Sequence, residues 1–302
     1  MGRAIEIVEV GPRDGLQNEA LLVSTADKVA LIGHCIAARA KRIEIASFVN
    51  PRKVPQMADA ESVVAALGQP EGVTRIGLVL NLRGADRALA AGIDQLGAVA
   101  VASDTFGVRN QGQSSAQSVA EAKAIIAMAK AAGRSAQVTI ATAFGCPFEG
   151  EVDPAHVVAM ARDLAGAGPC EIALADTIGV AVPAQVTALV TAVRQAIAPL
   201  PVRVHFHDTR NTGVANAWAA VEAGAATVDA SLGGLGGCPF APGAAGNVAT
   251  EDVAYLFARS GIETGLDLDR LLAASQWLAG IMGKALPSSL AKAVPFPPQA
   301  LA

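Results

Sequence analysis

The sequence predicts a (β/α)8 TIM barrel with extra C-terminal helices, and three observations carry that prediction. Eight short β-like runs, at 4–10, 42–47, 74–80, 96–102, 136–143, 170–176, 202–208 and 227–232, alternate with longer Ala-rich segments of helical periodicity. Strands separated by helices imply a parallel sheet. Eight such units fit a chain of 302 residues as one closed barrel. Finally, the polar residues suited to chemistry fall just after these runs, on the rim where a barrel builds its active site. An open doubly wound sheet is the competing architecture, but no Gly-x-Gly-x-x-Gly follows the first strand. The barrel is expected over about 4–260 and a helical extension over about 261–302, the whole (1–302) forming a single catalytic domain.

The individual elements follow from local signals. Ala4–Val10 is a short, mostly apolar run that ends at Gly11-Pro12. Helical segments are expected at 25–40, 115–132, 154–166, 183–197 and 213–223. Asp153-Pro154 and Val182-Pro183 place proline in a first helical turn. Gly92, Gly133 and Gly224 mark helix ends. A last helix over about 267–283 lies beyond the eight units and either caps the barrel or forms an oligomer contact.

Composition narrows the class. Hydrophobic residues make up 52% of the chain and aromatic residues 4%, so a large core must be built from small and branched aliphatics. The net charge is −4 with no basic block, which argues against a nucleic-acid partner. No run is long and apolar enough for a membrane span. Cys35, Cys146, Cys170 and Cys238 show neither disulfide density nor metal spacing, as suits a reducing compartment. The N-terminus shows no signal segment, and a cytoplasmic location is expected.

Four constellations carry the chemistry. In Val202–Thr209, His205 and His207 are two residues apart on a strand and share one face. That pair is either half of a divalent-metal site or a pair of hydrogen-bonded core histidines. Gly11-Pro12-Arg13-Asp14-Gly15 is a tight loop that sets a fixed cation beside a hard oxygen ligand; the alternative is a solvated surface ion pair. Glu44 lies in an otherwise apolar strand and needs a partner, for which Arg13 is the neighbour, unless Glu44 faces water at the barrel mouth. Asp176-Thr177 ends a strand, so Asp176 is a candidate general base or substrate orienter, or a helix cap. Asp208 is read as the carboxylate partner of a ligating histidine. The glycine-rich Ser231–Asn247 loop carries Cys238, a candidate acid/base, and Asn247, a neutral oxygen donor. Asp14, His205, His207 and Asn247, completed by water or substrate oxygens, make a mixed N/O set that favours Mg2+ or Mn2+ over structural zinc.

Together these motifs, with Ser47-Phe48-Val49, Val54-Pro55-Gln56-Met57, Gly145–Gly150 and Gly246–Asp252, resemble the 3-hydroxy-3-methylglutaryl-CoA lyase family over almost the whole chain. That family is related to the isopropylmalate and homocitrate synthases, which are not expected to carry the Cys238 loop in this form. The resemblance implies a metal-dependent retro-Claisen cleavage of an acyl-CoA to acetyl-CoA and a keto acid. It implies metal ligation by Asp14, His205, His207 and Asn247, and enolate stabilisation by Arg13 backed by Glu44. Acid/base work is shared among Asp14, Asp176, His205 and Cys238, and substrate is held by Arg13, Ser47, Thr177 and Arg210. It also implies a homodimer or higher homo-oligomer. The chain departs from the animal members at Arg210-Asn211-Thr212, where they carry Tyr-Gly-Gln, and at Ala173, where they carry Ser. A citramalyl-CoA substrate is therefore the competitor within the same mechanism. A Claisen-type synthase and a catalytically silent metal-binding scaffold are the readings outside it.

Overall fold

The computed structural model describes residues 3–238, 241–294 and 296. Eight parallel strands close into a barrel: β1 (Glu6–Glu9), β2 (Arg42–Ser47), β3 (Thr74–Leu78), β4 (Gln95–Val101), β5 (Ser135–Ala141), β6 (Ile172–Asp176), β7 (Val202–Phe206) and β8 (Thr227–Ala230). β1 pairs with both β2 and β8, which completes the ring. Every strand predicted from the sequence is present. The first is shorter than predicted, because Arg3–Ala4 leaves the barrel to pair with Ile262–Glu263.

The helices that cover the barrel are α1 (Thr25–Ala37), α2 (Ala60–Leu67), α3 (Leu82–Ala90), α4 (Asp104–Gln111), α5 (Ser115–Ala131), α6 (Pro154–Ala165), α7 (Pro183–Ile197), α8 (Gly213–Glu222) and α9 (Thr250–Arg259). α4 is an additional helix between β4 and α5. The two prolines occupy first turns as predicted, and Asp153 caps α6 by accepting from the Ala155 N–H. Gly92, Gly133 and Gly224 have positive φ just past the ends of α3, α5 and α8. α10 (Leu268–Met282) packs against α1 and against the turn at Leu232–Gly234, so it braces the base of the glycine-rich loop.

The large apolar core lies between the strands and the helices. The barrel interior is different. At its N-terminal end, Arg42 donates to Glu6, Gln95, Gln137 and Glu171. Thr227 donates to the same Glu171. This polar cluster, half-open to solvent at Glu6 and buried at Glu171, fills the bottom of the barrel, while the cavity opens at the C-terminal mouth.

Candidate active site

A cavity of about 390 Å³ opens at the C-terminal mouth, and Arg13, Asp14, Glu44, Thr177, His205 and His207 all line it. Asp14, His205 and His207 each place one ligand-capable atom so that all three lie within 4.8 Å of one another. These residues come from opposite ends of the chain, and the closed barrel brings them together because β1 and β7 both flank β8.

Arg13 and Asp14 lie on a five-residue π-helical turn, Gly11–Gly15, whose N–H groups at 13, 14 and 15 all point at the Val10 carbonyl. π-turns are often found at functional sites. Gly11 leaves room for the Glu9 carboxylate that its own N–H binds: a Cβ would stand 2.7 Å from Glu9 Oε1. Arg13 donates through Nε to Glu44 Oε2 at 2.7 Å, through a second nitrogen to the same oxygen, and through the third to Asp14 Oδ1. The predicted Glu44–Arg13 partnership is thus present, with Glu44 inside the mouth.

Burial works against charge on Asp14, but Arg13, then His205 and His207, outweigh it and hold the carboxyl at about 2. Burial and the neighbouring His205 push His207 down to about 4, so its imidazole is neutral at pH 7. Burial also opposes charge on His205, yet the hydrogen bond with Asp229 and the charge of Asp14 raise its pKa above the ordinary value. Burial raises Glu44, with Arg13 acting against it.

The donor set fits a hard divalent cation. His207 Nδ1 and Asn247 Oδ1 are both buried without a hydrogen-bond partner. Residues 207 and 247 face each other across an isolated antiparallel bridge, and the Asn247 amide donates to Asp14 and to the Leu235 carbonyl. Unsatisfied buried polar atoms are costly, and residues 207 and 247, which carry two of them, complete a mixed N/O set with Asp14 and His205. Gly236 makes room for this arrangement: with φ of 111°, its Cβ would stand 2.7 Å from Asn247 Nδ2.

Other predicted site residues lie elsewhere. Asp176 is fully buried, and its two oxygens accept from the Val180 and Ala181 N–H groups. Its carboxylate thus holds the loop after β6 and does not line the cavity, whereas Thr177 does. Thr177 Oγ1 accepts from the Thr142 N–H. Ser47 is buried beside the cavity rather than in its lining. Arg210 is exposed and donates to the carbonyls of Ile178 and Gly179. Asp208 does not partner a histidine as expected: it accepts from the Gly213 N–H at the start of α8. Cys238 lies on a short strand, Gly237–Cys238, paired with Ala241–Ala245; its side chain lies outside the described residues.

The sequence reading missed three groups. Asp229 Oδ2 is 3.3 Å from His205 Nδ1 and is the carboxylate partner sought at Asp208. Arg203 lines the cavity two residues before His205. Glu9 accepts from the N–H groups of Gly11 and Leu232 and from Thr250 Oγ1. It thereby ties together the segments that carry Arg13, Cys238 and Asn247. An acid inside an otherwise apolar strand was the available signal for Glu9 and Asp229.

Comparison with known proteins agrees with this geometry. The family model described as HMGL-like matches residues 4–278. An (R)-citramalyl-CoA lyase of Chloroflexus aurantiacus is 44% identical, with 98% of this chain and 96% of that protein aligned. A 3-hydroxy-3-isohexenylglutaryl-CoA/hydroxymethylglutaryl-CoA lyase of Pseudomonas aeruginosa is 40% identical over 97% of both. Among solved structures, an HMG-CoA lyase from Acinetobacter baumannii in complex with coenzyme A and 3-methylmalate superposes with a TM-score of 0.93 at 40% identity, covering 99% of this chain and 98% of that one. The chain belongs to the HMGL-like family.

Proposed function

We propose that this protein is a hydroxymethylglutaryl-CoA lyase that cleaves 3-hydroxy-3-methylglutaryl-CoA to acetyl-CoA and acetoacetate, with the barrel and its C-terminal helix acting as one catalytic unit. The observation that carries the proposal is the convergence of Asp14, His205 and His207 with the Glu44-held Arg13 in one cavity at the barrel mouth. Asp14, His205, His207 and Asn247 are the residues that would hold Mg2+ or Mn2+. When bound, such a cation supplies Lewis acidity toward the substrate's hydroxyl and carboxylate oxygens.

The residues of the chain then divide the work. A base takes the proton of the C3 hydroxyl. The C2–C3 bond breaks, the oxygen's electron pair becomes the new C3 carbonyl, and the electrons of the broken bond pass to C2 and the thioester oxygen. Two nitrogens of Arg13 bind Glu44 Oε2, so the guanidinium can hold that developing negative oxygen without reorganising. An acid returns a proton to C2, giving acetyl-CoA. Asp14 and His205 face the cavity and are the proposed proton carriers there, with Cys238 on the glycine-rich loop as the proposed donor to C2. A well-placed acid or base contributes roughly 10²–10⁴-fold. The enclosed Asp176 acts on this reading by fixing the loop that presents Thr177, and Arg210 by clamping the same loop; Ser47 supports the wall beneath substrate.

A second acyl group is favoured by a specific observation, the 44% identity to the citramalyl-CoA lyase. Citramalyl-CoA has the same 3-hydroxy-3-methyl carboxylate pattern with one fewer methylene and would give acetyl-CoA and pyruvate. Acetyl-CoA release from the two thioesters, side by side with Mn2+ and a thiol reductant, decides between them. Faster cleavage of the glutaryl substrate supports the first reading, faster cleavage of citramalyl-CoA moves the substrate, and cleavage of neither overturns both. The cytoplasmic location remains part of the proposal, supported by free Cys35, Cys146 and Cys170. So does a homodimer or higher homo-oligomer, for which light scattering on the eluting protein gives the mass. No helix among the described residues is long and apolar enough to cross a membrane.

A further inference from the structure

The deepest part of the cavity is walled by Glu44, Thr139, Arg203 and Asp229. Arg203 is 3% exposed. It lies on the same face of β7 as His205, one pleat closer to the bottom of the barrel, which is roughly 7 Å. Its guanidinium donates to Thr139 Oγ1 at 3.0 Å and lies at ion-pair distance from Asp229 Oδ1 (3.5 Å) and Glu171 Oε1 (3.7 Å). Below it begins the Arg42–Glu171 cluster, none of whose members lines the cavity. The neighbour of Arg203 in register is Ala173, whose methyl leaves the space over that strand to the arginine. A buried planar cation tethered to Thr139 and flanked by two carboxylates is a stiffer stop than a lysine or an aliphatic side chain free to change rotamer.

We propose that Arg203 is a specificity-determining residue of the proposed lyase reaction: its guanidinium is the floor of the acyl pocket and limits the acyl group to short branched hydroxy diacids. This rests on the lyase reading above. The thioester enters from the mouth and the reacting carbon sits at Asp14, His205 and His207. Whatever the acyl group carries beyond that carbon must then fit between these residues and Arg203. Removal of the side chain to Cβ deepens the pocket above Ala173, while shortening of Thr139 opens the same floor by less.

The test is kcat/KM for 3-hydroxy-3-methylglutaryl-CoA against two longer thioesters: the C3-propyl homologue, and the 3-hydroxy-3-methyladipyl homologue with one more methylene in the acid arm. The readout is the ratio of the methylglutaryl value to the better of the two. The wild type is expected to give a ratio of about 10². Arg203→Ala is expected to lower it at least tenfold, Thr139→Ala to lower it by less, and Arg203→Met, which keeps the bulk, to leave it high. Both substrates are measured on the same protein, so a general loss of stability cancels from the ratio. A wild-type ratio below about three overturns the proposal whether or not the alanine variant folds, as does an unchanged ratio in Arg203→Ala or, where that variant does not fold, in Thr139→Ala. If the wild type cleaves none of the three, it is the lyase reading that fails.

Discussion

Asp229 stands directly behind His205: its Oδ2 lies 3.3 Å from Nδ1, while His205 Nε2 points toward Asp14 Oδ2 at 3.8 Å. A carboxylate on one ring nitrogen fixes the proton there and leaves the other nitrogen as the electron-pair donor. Asp229→Asn is therefore expected to weaken Mn2+ binding about 10–100-fold with the fold intact. Equilibrium dialysis of the purified protein measures this. Unchanged affinity would show that Asp229 does not orient His205.

Arg13 is held by Glu44 rather than free to swing. Arg13→Lys keeps the charge but not the fork that meets Glu44 through two nitrogens. Its kcat is expected to fall by about 10²-fold or more, the size of effect seen when one stabilising donor is lost, with a smaller change in KM. Glu44→Gln is expected to lower kcat less, because the guanidinium remains but is held less firmly. Steady-state kinetics on both variants test this ordering, and an Arg13→Ala protein with full activity would remove the enolate-stabilising role.

Burial raises Glu9 to about 7 from 4.5, despite hydrogen bonds from Thr250, Leu232 and Gly11 that favour its charge. A carboxyl raised on folding binds more protons in the native than in the unfolded state between those two values, so stability falls as pH rises through that window. The shift corresponds to about 3 kcal/mol, present below the unfolded pKa and lost above the folded one. Glu9→Gln is expected to flatten the stability profile between pH 5 and pH 8. Urea unfolding of both proteins at four pH values shows the difference, and parallel profiles would contradict it.

Arg42 serves the fold rather than the chemistry, because it lies at the end of the barrel away from the mouth. Arg42→Ala leaves the buried Glu171 without its main counter-charge. The expected loss is about 3–5 kcal/mol in unfolding free energy, with kcat per folded molecule unchanged. Chemical denaturation and active-site titration separate the two effects.

The barrel was legible in the sequence because every one of its strands is a short run bounded by turns, and parallel strands need helices between them. Arg13, Asp14, Glu44, His205 and His207 were legible because each breaks an apolar pattern at a strand end. Asp208 misled because an acid beside a histidine in sequence points elsewhere in the fold: it accepts from the Gly213 N–H at the start of α8, while Asp229 reaches His205 from the next strand. Arg203, Glu9 and Arg42 were illegible as a group. Their partners come from segments distant in sequence, Leu232 and Thr250 for Glu9, Asp229 for Arg203 and Glu171 for Arg42, and strand alternation alone does not say what a buried charge meets. Arg210, the cation the sequence placed near the pocket, clamps the loop after β6, whereas Arg203, which the sequence did not single out, lines the pocket together with Arg13.

The most direct test of the account is acetyl-CoA formation from 3-hydroxy-3-methylglutaryl-CoA by metal-stripped protein titrated with Mn2+, run in parallel on wild type and His207→Ala. The account predicts no turnover when stripped, full recovery of the wild type at one Mn2+ per chain, and no recovery of the variant at that ratio. Undiminished turnover by the stripped wild type, or equal recovery of the variant, would contradict it.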